Sequence, residues 1–322
     1  MKASVNTRYG TPDVLHLRDV PTPEPGAGEV LVRVHATTVS RTDTCALRAH
    51  PWFVRPEIGL FRPKRTILGL DFAGTVAAVG AGVADLRPGM RVFGLTPGGH
   101  GAHAEFLVMP ADGAIAEMPE GLAFPRAVLC EGAWYANTYL QAFGLGPGHD
   151  VLIYGGSGAI GTAAVQLAKS CGAAVTAVTS TPHLELVRSL GADRVIDYTA
   201  QDFAQIPDRF DLVLDAVGKT TYGRCKHLLK PGGTFSATDL GPFWQNIWLA
   251  FWSGVRRNRR VLMPMPVAGR PVMDVIKSRI EAGELRAVID RTYPFDRIAE
   301  AYCYVDTGQK TGIVVIEIAA PS

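Results

Sequence analysis

The stretch Val151–Gly161, Val-Leu-Ile-Tyr-Gly-Gly-Ser-Gly-Ala-Ile-Gly, limits what this chain can fold into more than any other. Val151–Tyr154 is a short apolar run of the kind buried on both faces of a parallel sheet. Gly156, Gly158 and Gly161 follow in G-x-G-x-x-G register, and Ala163, Ala164, Val165, Leu167, Ala168 and Lys169 continue as helix-compatible residues. The order strand, glycine turn, helix predicts a dinucleotide site. Its first glycine makes the tight turn, the second lets backbone approach a pyrophosphate, and the third lets helix pack on strand. Gly156, Ser157, Gly158, Ala159, Ile160 and Gly161 would then present the helix start to the phosphates. The alternative is a tight turn in an α/β sheet with no ligand.

The surroundings fit that reading. From about Pro119–Pro125 onward, apolar runs and helical patterns alternate: helix 125–143, strand 151–154, helix 159–171, strand 174–179, helix 182–190, strands 194–197 and 211–215, helix 219–229, strand 233–238. This alternation predicts an α/β fold with a doubly wound parallel sheet. Residues 1–120 are instead β-rich and turn-broken, with Val30–Val39 as a strand and 49–66 as a loop holding three prolines. Helices are expected at 243–255, 272–283 and 295–305, and a last strand at Ile313–Ile318. A length of 322 residues suits about two domains, and a charge of +2 gives no strong pull on nucleic acid. Five scattered cysteines without a C-x-x-C pair suit reduced thiols. Met1–Asn6 holds no apolar signal core and no stretch suits a membrane span, so a cytoplasmic protein is expected.

Further pieces carry a resemblance: Val39-Ser40-Arg41-Thr42-Asp43, Gly69-Leu70-Asp71-Phe72-Ala73-Gly74, Pro88–Gly94, Gly155–Gly161 with Gln166–Lys169, Leu190–Asp193, Val195–Tyr198, Asp215-Ala216-Val217-Gly218, Leu229–Gly233 and Lys310-Thr311-Gly312. Taken together, the chain resembles the medium-chain dehydrogenase/reductase superfamily in its zinc-free quinone oxidoreductase (zeta-crystallin-like) branch. The resemblance implies a Rossmann domain at 123–292 and a GroES-like catalytic domain at 1–122 completed by 293–322. It also implies that Ser40, Asp43 and Tyr135 lie near nicotinamide and substrate. Ala216, Val217 and Gly218 with Thr238, Asp239 and Leu240 would touch the nicotinamide half, and Lys310 the cofactor edge. Tyr135 replaces a family Thr: its phenol is either a hydrogen-bond donor to a developing oxyanion or a packed aromatic. His100 and His103 are read as structural.

About 20 residues past the glycines, where an NAD site of this type places an acid, the chain reads Val178-Thr179-Ser180-Thr181-Pro182-His183. The missing acid favours NADPH over NADH, and Ser180, His183 and Tyr198 resemble family positions for the 2′-phosphate. The usual Lys or Arg of that turn is absent. Zinc members of the superfamily carry Cys and His where this chain has Ser40 and Leu70, and neither replacement suits zinc. Without a Lewis acid, electron-poor acceptors remain, because they delocalise the incoming charge themselves. The reading is a zinc-independent transfer of hydride from NADPH to a quinone or α,β-unsaturated carbonyl. The alternatives are a metal-free alcohol or aldehyde dehydrogenase and a low-turnover NADPH-binding sensor or structural protein. The partner expected is a small-molecule electron acceptor. The aromatic segment Pro242–Val255, followed by Arg256, Arg257, Arg259 and Arg260, has Trp244, Trp248, Phe251, Trp252 and Val255 at helical spacing. It is read as a cleft lid or homodimer interface, with membrane contact through 242–260 as the lesser alternative.

Overall fold

In the computed structural model, residues 1–255 and 260–318 are described; Arg256, Arg257 and Arg259 of the arginine run lie outside them. The chain forms two compact units. The first comprises Met1–Glu131, Ala268–Glu281 and Ala287–Ser322, and the second Gly132–Val267 and Ala282–Arg286.

The second unit is built on a parallel sheet in the order Arg194–Asp197, Ala174–Thr179, Asp150–Tyr154, Phe210–Asp215, Leu229–Ala237, Val261–Leu262. The chain starts in the middle at Asp150–Tyr154, winds outward to one side and then crosses to the other. The strand order therefore reverses between Asp150–Tyr154 and Phe210–Asp215, where Tyr154 pairs with Asp215. In doubly wound sheets a ligand crevice opens at the carboxyl ends of the strands at such a point. Leu152, Val178, Ile196, Val213 and Phe235 fill the core beneath it.

The first unit holds a seven-stranded sheet among the described residues. Its central strand Glu29–Val39 pairs antiparallel with Asp71–Val79, Phe106–Pro110 and Ile313–Glu317. Phe72, Met109, Tyr302 and Val314 belong to its core.

Several elements differ from expectation for local reasons. The expected helix 125–143 is two helices, Phe124–Ala127 and Cys130–Phe143, because Val128 leaves helical geometry at ψ 57°. The break puts Glu131 in the first turn of the second helix. The expected helix 219–229 shrinks to Tyr222–Cys225 and a 3-10 turn, and the next strand begins at Leu229. Asp215 captures the intervening amides, as described below. The loop 49–66 contains the short helices Trp52–Val54 and Arg55–Ile58. Ile289–Pro294 is a strand at the sheet edge, parallel to Ile313–Glu317. Its polar composition and terminal proline suit an edge and hide it from pattern reading. On the helix Gln245–Val255, Asn246 and Ser253 are the buried residues, while Trp248, Phe251, Trp252 and Val255 are exposed. Trp244 has a positive φ of 59° and lies in a preceding turn, outside that helix.

Candidate active site

The crevice of the second unit begins where Asp150–Tyr154 ends. The residue that turns is Gly155, with φ +85°, rather than Gly156 as the register suggested. A Cβ on Gly155 would stand 2.6 Å from Val217 Cγ1. A Cβ on Gly161 would stand 2.0 Å from the Gly155 carbonyl oxygen, so the third glycine is required for the helix to lie on the turn. Gly158 caps the helix Ala159–Ser170, and no side chain bonds to the first-turn amides. The first helical bond runs from Thr162 N to Gly158 O at 2.8 Å. The N–H groups of Ala159, Ile160 and Gly161 therefore have no acceptor within the helix, which is the arrangement that receives a phosphate. Ser157 Oγ accepts from Thr179 Oγ1 at 2.9 Å.

Across the reversal point the buried Asp215 organises the next loop. Its Oδ1 accepts from Val217 N (3.0 Å) and Gly218 N (2.9 Å), and its Oδ2 from Thr220 N (2.8 Å). Thr238 N donates to Asp215 O at 3.0 Å, and a Cβ on Gly218 would lie 2.4 Å from Asp239 Cβ. Ala216–Gly218 and Thr238–Leu240 are thus brought together at the carboxyl ends of adjacent strands. In the third segment, His183 N donates to Ser180 O (3.0 Å) and Tyr198 N to Thr179 O (3.0 Å). A pocket of about 430 Å³ opens beside it, lined by Tyr154, Tyr198, Thr199, Asp202, Phe203 and Arg224. The Arg224 guanidinium lies 4.9 Å from the Phe203 ring centre and pairs with Asp202 at 2.7 Å. Asp197, an acid that the linear reading of the turn did not include, accepts from Thr181 Oγ1 (2.5 Å) and from Thr199 N (2.9 Å). Tyr135 stacks edge-on against Trp134, with ring centres 5.1 Å apart.

The first unit gathers Ser40, Asp43, Asp71, Glu131 and Lys310. Ser40 caps the helix Arg41–Arg48 in a reciprocal capping box with Asp43. Asp43 Oδ2 accepts from Ser40 N and Ser40 Oγ, both at 2.8 Å, and Oδ1 from Gly69 N at 3.1 Å. Burial still outweighs these bonds and pushes its carboxyl up to about 6. Asp71 Oδ1 accepts from Glu131 N at 2.8 Å, and burial with the Glu131 charge raises it too. Glu131 accepts from Thr42 Oγ1. Dense protein and the Asp43 charge push it up to about 7, against the pull of Lys310. Burial in turn lowers the Lys310 ammonium, whose Nζ donates to Gly312 O at 2.6 Å. Glu131 and Lys310 keep a water-accessible edge, whereas Asp43 and Asp71 are each 1% exposed. Lys310, expected at the cofactor edge, thus stands among carboxylates of the first unit. Sequence reasoning did not single out Glu131, Asp71 or Asp215 as site residues.

His103 is fully buried: Nε2 donates to Thr38 O at 2.8 Å and Nδ1 accepts from Tyr302 OH at 3.2 Å. Both ring nitrogens are satisfied in the neutral form, and burial drops the imidazole to about 4. Asp43 and His103 have opposite consequences for stability. Asp43 binds its proton more tightly in the fold, so its contribution falls as pH rises from about 4 to about 6. His103 is harder to protonate in the fold, so its contribution rises over about pH 4 to about 6.5. Each is worth about 3 kcal/mol at 1.36 kcal/mol per unit, so the two nearly cancel. Urea unfolding of His103→Gln is therefore expected to lose about 3 kcal/mol more than wild type between those limits. Parallel curves for the two proteins would refute the assignment.

With these sites in place, the comparisons with known proteins fall into line. Residues 26–120 match the alcohol dehydrogenase GroES-like domain and residues 190–316 the zinc-binding dehydrogenase domain. The chain is 32% identical to the 2-methylene-furan-3-one reductase of Solanum lycopersicum, over 98% of this chain and 79% of that protein. It is also 32% identical to the chloroplastic NADPH-dependent alkenal/one oxidoreductase of Arabidopsis thaliana, with the same shares covered. The solved quinone oxidoreductase of Coxiella burnetii superposes with a TM-score of 0.88 at 27% identity, over 99% of both chains. The chain belongs to the medium-chain dehydrogenase/reductase superfamily, an α/β fold that joins a GroES-like domain to a Rossmann-type parallel sheet. Within it, the chain falls in the quinone oxidoreductase branch and is an oxidoreductase that works with a nicotinamide cofactor.

The residues here do not fit the zinc of the matched domain's name. The Ser40 hydroxyl is committed to Asp43, Leu70 has no donor atom, and the Lys310 ammonium stands by Glu131. Among the described residues, no three His, Cys, Asp or Glu side chains converge closely enough to hold a metal. No described helix is long and apolar enough to cross a membrane.

Proposed function

We propose that this protein reduces quinones or α,β-unsaturated carbonyls with NADPH and without zinc. The observation that carries the reading is the glycine turn with its uncapped helix start, which fits a diphosphate. Bound there, the reduced nicotinamide supplies a hydride. The chain's own residues do the rest. Ala159, Ile160 and Gly161 hold the diphosphate through backbone N–H groups. The loops 216–218 and 238–240, fixed by Asp215, orient the nicotinamide half. Ser40, Asp43 and Tyr135 serve the acceptor, and a proton from solvent or a side chain follows the hydride. The GroES-like part, 1–122 with 293–322, carries the acceptor chemistry, and 123–292 the cofactor.

NADPH rather than NADH is supported by the name of the Arabidopsis relative. It is also supported by Arg224, a cation on the same pocket as Tyr198. Asp197 accepts from Thr181 and Thr199, which hold its carboxylate against its own turn. The test follows nicotinamide absorbance with NADPH or NADH across a panel of quinones, enones and alcohols, with and without chelator. Turnover of quinones or enones is expected, preferring NADPH and indifferent to chelator. Chelator-sensitive turnover, or oxidation of alcohols alone, would overturn the reading.

A further inference from the structure

The helix Gln245–Val255 is held to its own unit by its smaller and more polar side. Asn246 Nδ2 donates to Asp239 O at 2.9 Å, Ser253 Oγ accepts from Val261 N at 3.1 Å, and Leu249 and Ala250 pack on the core that includes Phe235. The opposite side carries Ile247, Trp248, Phe251, Trp252 and Val255, which fall within about 140° of arc at about 100° per residue. Trp248, Phe251 and Trp252 are each more than half exposed. The anchors of the helix therefore lie away from its large aromatics, and an apolar face left outward in this way marks a contact surface. We propose that this face, with the arginines that follow it in the chain, docks on the surface of an anionic lipid bilayer. The inference goes beyond the proposed function and does not depend on it.

The charge of the segment selects the occupant. Between Leu240 and Val267 the sequence has four arginines, Arg256, Arg257, Arg259 and Arg260, and no Asp, Glu or Lys. The run begins at the exposed helix end Val255 and finishes at the exposed Arg260, whose carbonyl accepts from Phe235 N at 2.9 Å. A partner for this surface has to bring both apolar surface and negative charge. The same face of a second copy brings only the first, because it offers no carboxylate and doubles the uncompensated positive charge. A bilayer with acidic headgroups brings both.

The side-chain types agree. Tryptophan is enriched where headgroups meet hydrocarbon, because its ring is apolar and its N–H is not. Among the described residues, nine of the fifteen large apolar side chains that stand exposed lie between Phe243 and Val267, with Phe243 at 99%. The exposed apolar surface is thus gathered in one segment, whereas singly exposed apolar residues are ordinarily scattered. At 11 residues the helix is too short to span a bilayer, so it lies along the surface.

Cosedimentation with vesicles tests this, using phosphatidylcholine alone and phosphatidylcholine mixed with an equal share of phosphatidylserine. Wild type is expected to bind the mixed vesicles in low salt and to leave them as salt screens the arginines. Each arginine near an anionic surface contributes about fivefold, so Arg256→Gln with Arg257→Gln should weaken binding about 30-fold. Trp248→Ser with Trp252→Ser should weaken it by about 10-fold or more, with a urea midpoint that does not move. Brominated acyl chains should quench wild-type tryptophan emission, and the quenching should shrink in the double-tryptophan variant. Wild type that stays in the supernatant with both vesicle types would overturn the proposal. So would binding that survives the loss of both tryptophans, or a wild-type dimer that the same substitutions turn into a monomer, which would give the face to a second copy. Acceptor turnover is measured without vesicles, so none of these results touches the proposed function.

Discussion

Gly161→Ala is expected to lose both cofactor binding and stability, while Gly158→Ala loses binding alone. The distinction lies in what each added methyl meets. At Gly161 the new Cβ falls 2.0 Å from Gly155 O, 2.8 Å from Gly155 C and 2.9 Å from Gly156 Cα. All three are backbone atoms of the turn itself, so relief requires the helix start to move off the strand. Overpacking of this kind costs about 1–3 kcal/mol. The shift also misaims the amides of Ala159, Ile160 and Gly161. Losing two charge-assisted bonds of about 1.5–3 kcal/mol each weakens NADPH by about 100-fold or more. At Gly158 the new Cβ would lie 3.5 Å from Val217 Cγ1 and 3.6 Å from Gly155 O, which is ordinary contact at a negative φ of −75°. The fold there has room, and what suffers is the close approach of backbone to the pyrophosphate. Fluorescence titration with NADPH and urea unfolding of both variants check this. A Gly161→Ala protein of wild-type stability would show that the glycine turn is looser than described.

How much of this was legible in the sequence depends on how local the cause is. The glycine turn is local: three glycines within six residues, after an apolar run, state their own geometry. Even so, the register assigned the strained turn to Gly156, whereas the positive φ falls on Gly155. Spacing names which residues lack side chains but not which one turns. The pairing of Ser40 with Asp43 is also local, since a serine three residues ahead of an acid is a capping box. Glu131 is the opposite case. Its partners Thr42, Asp71 and Lys310 lie far away in the chain, and nothing in Cys130-Glu131-Gly132 hints at them. The helix break at Val128, which places it, is likewise set by tertiary packing rather than by a Gly or Pro signal. The strand Ile289–Pro294 escaped because an edge needs no apolar alternation. The aromatic face of Gln245–Val255 was correctly read as one stripe from Trp248 onward, but helical periodicity cannot tell which side faces the unit's own core. Here the two buried residues are polar, Asn246 and Ser253, held by bonds to Asp239 O and from Val261 N.

The second large effect is expected at Asp215, whose role shows only in three dimensions. Asp215→Ala removes the buried acceptor of three amides, Val217, Gly218 and Thr220, of which Thr220 is itself buried. A buried donor left without a partner costs about 1–3 kcal/mol, so the loss is on the order of 3 kcal/mol even if the loop partly relaxes toward solvent. Asp215→Asn should fall between the two. Its carbonyl oxygen can still serve Val217 and Gly218, but its amide group then faces the Thr220 N–H, donor against donor. The same loss reaches function. Gly218, at φ +67°, lies so close to Asp239 that a Cβ there would stand 2.4 Å from Asp239 Cβ, so the loops 216–218 and 238–240 pack directly on each other. Releasing the first therefore disorders the second, and both are assigned above to the nicotinamide half. The expected pattern is faster hydrogen exchange at Val217, Gly218 and Thr220, a kcat that falls more than NADPH affinity does, and a glycine turn at 155–161 whose amides keep their protection. Wild-type exchange rates at those three amides in Asp215→Ala would mean that the carboxylate does not hold the loop, and that its burial has some other cause.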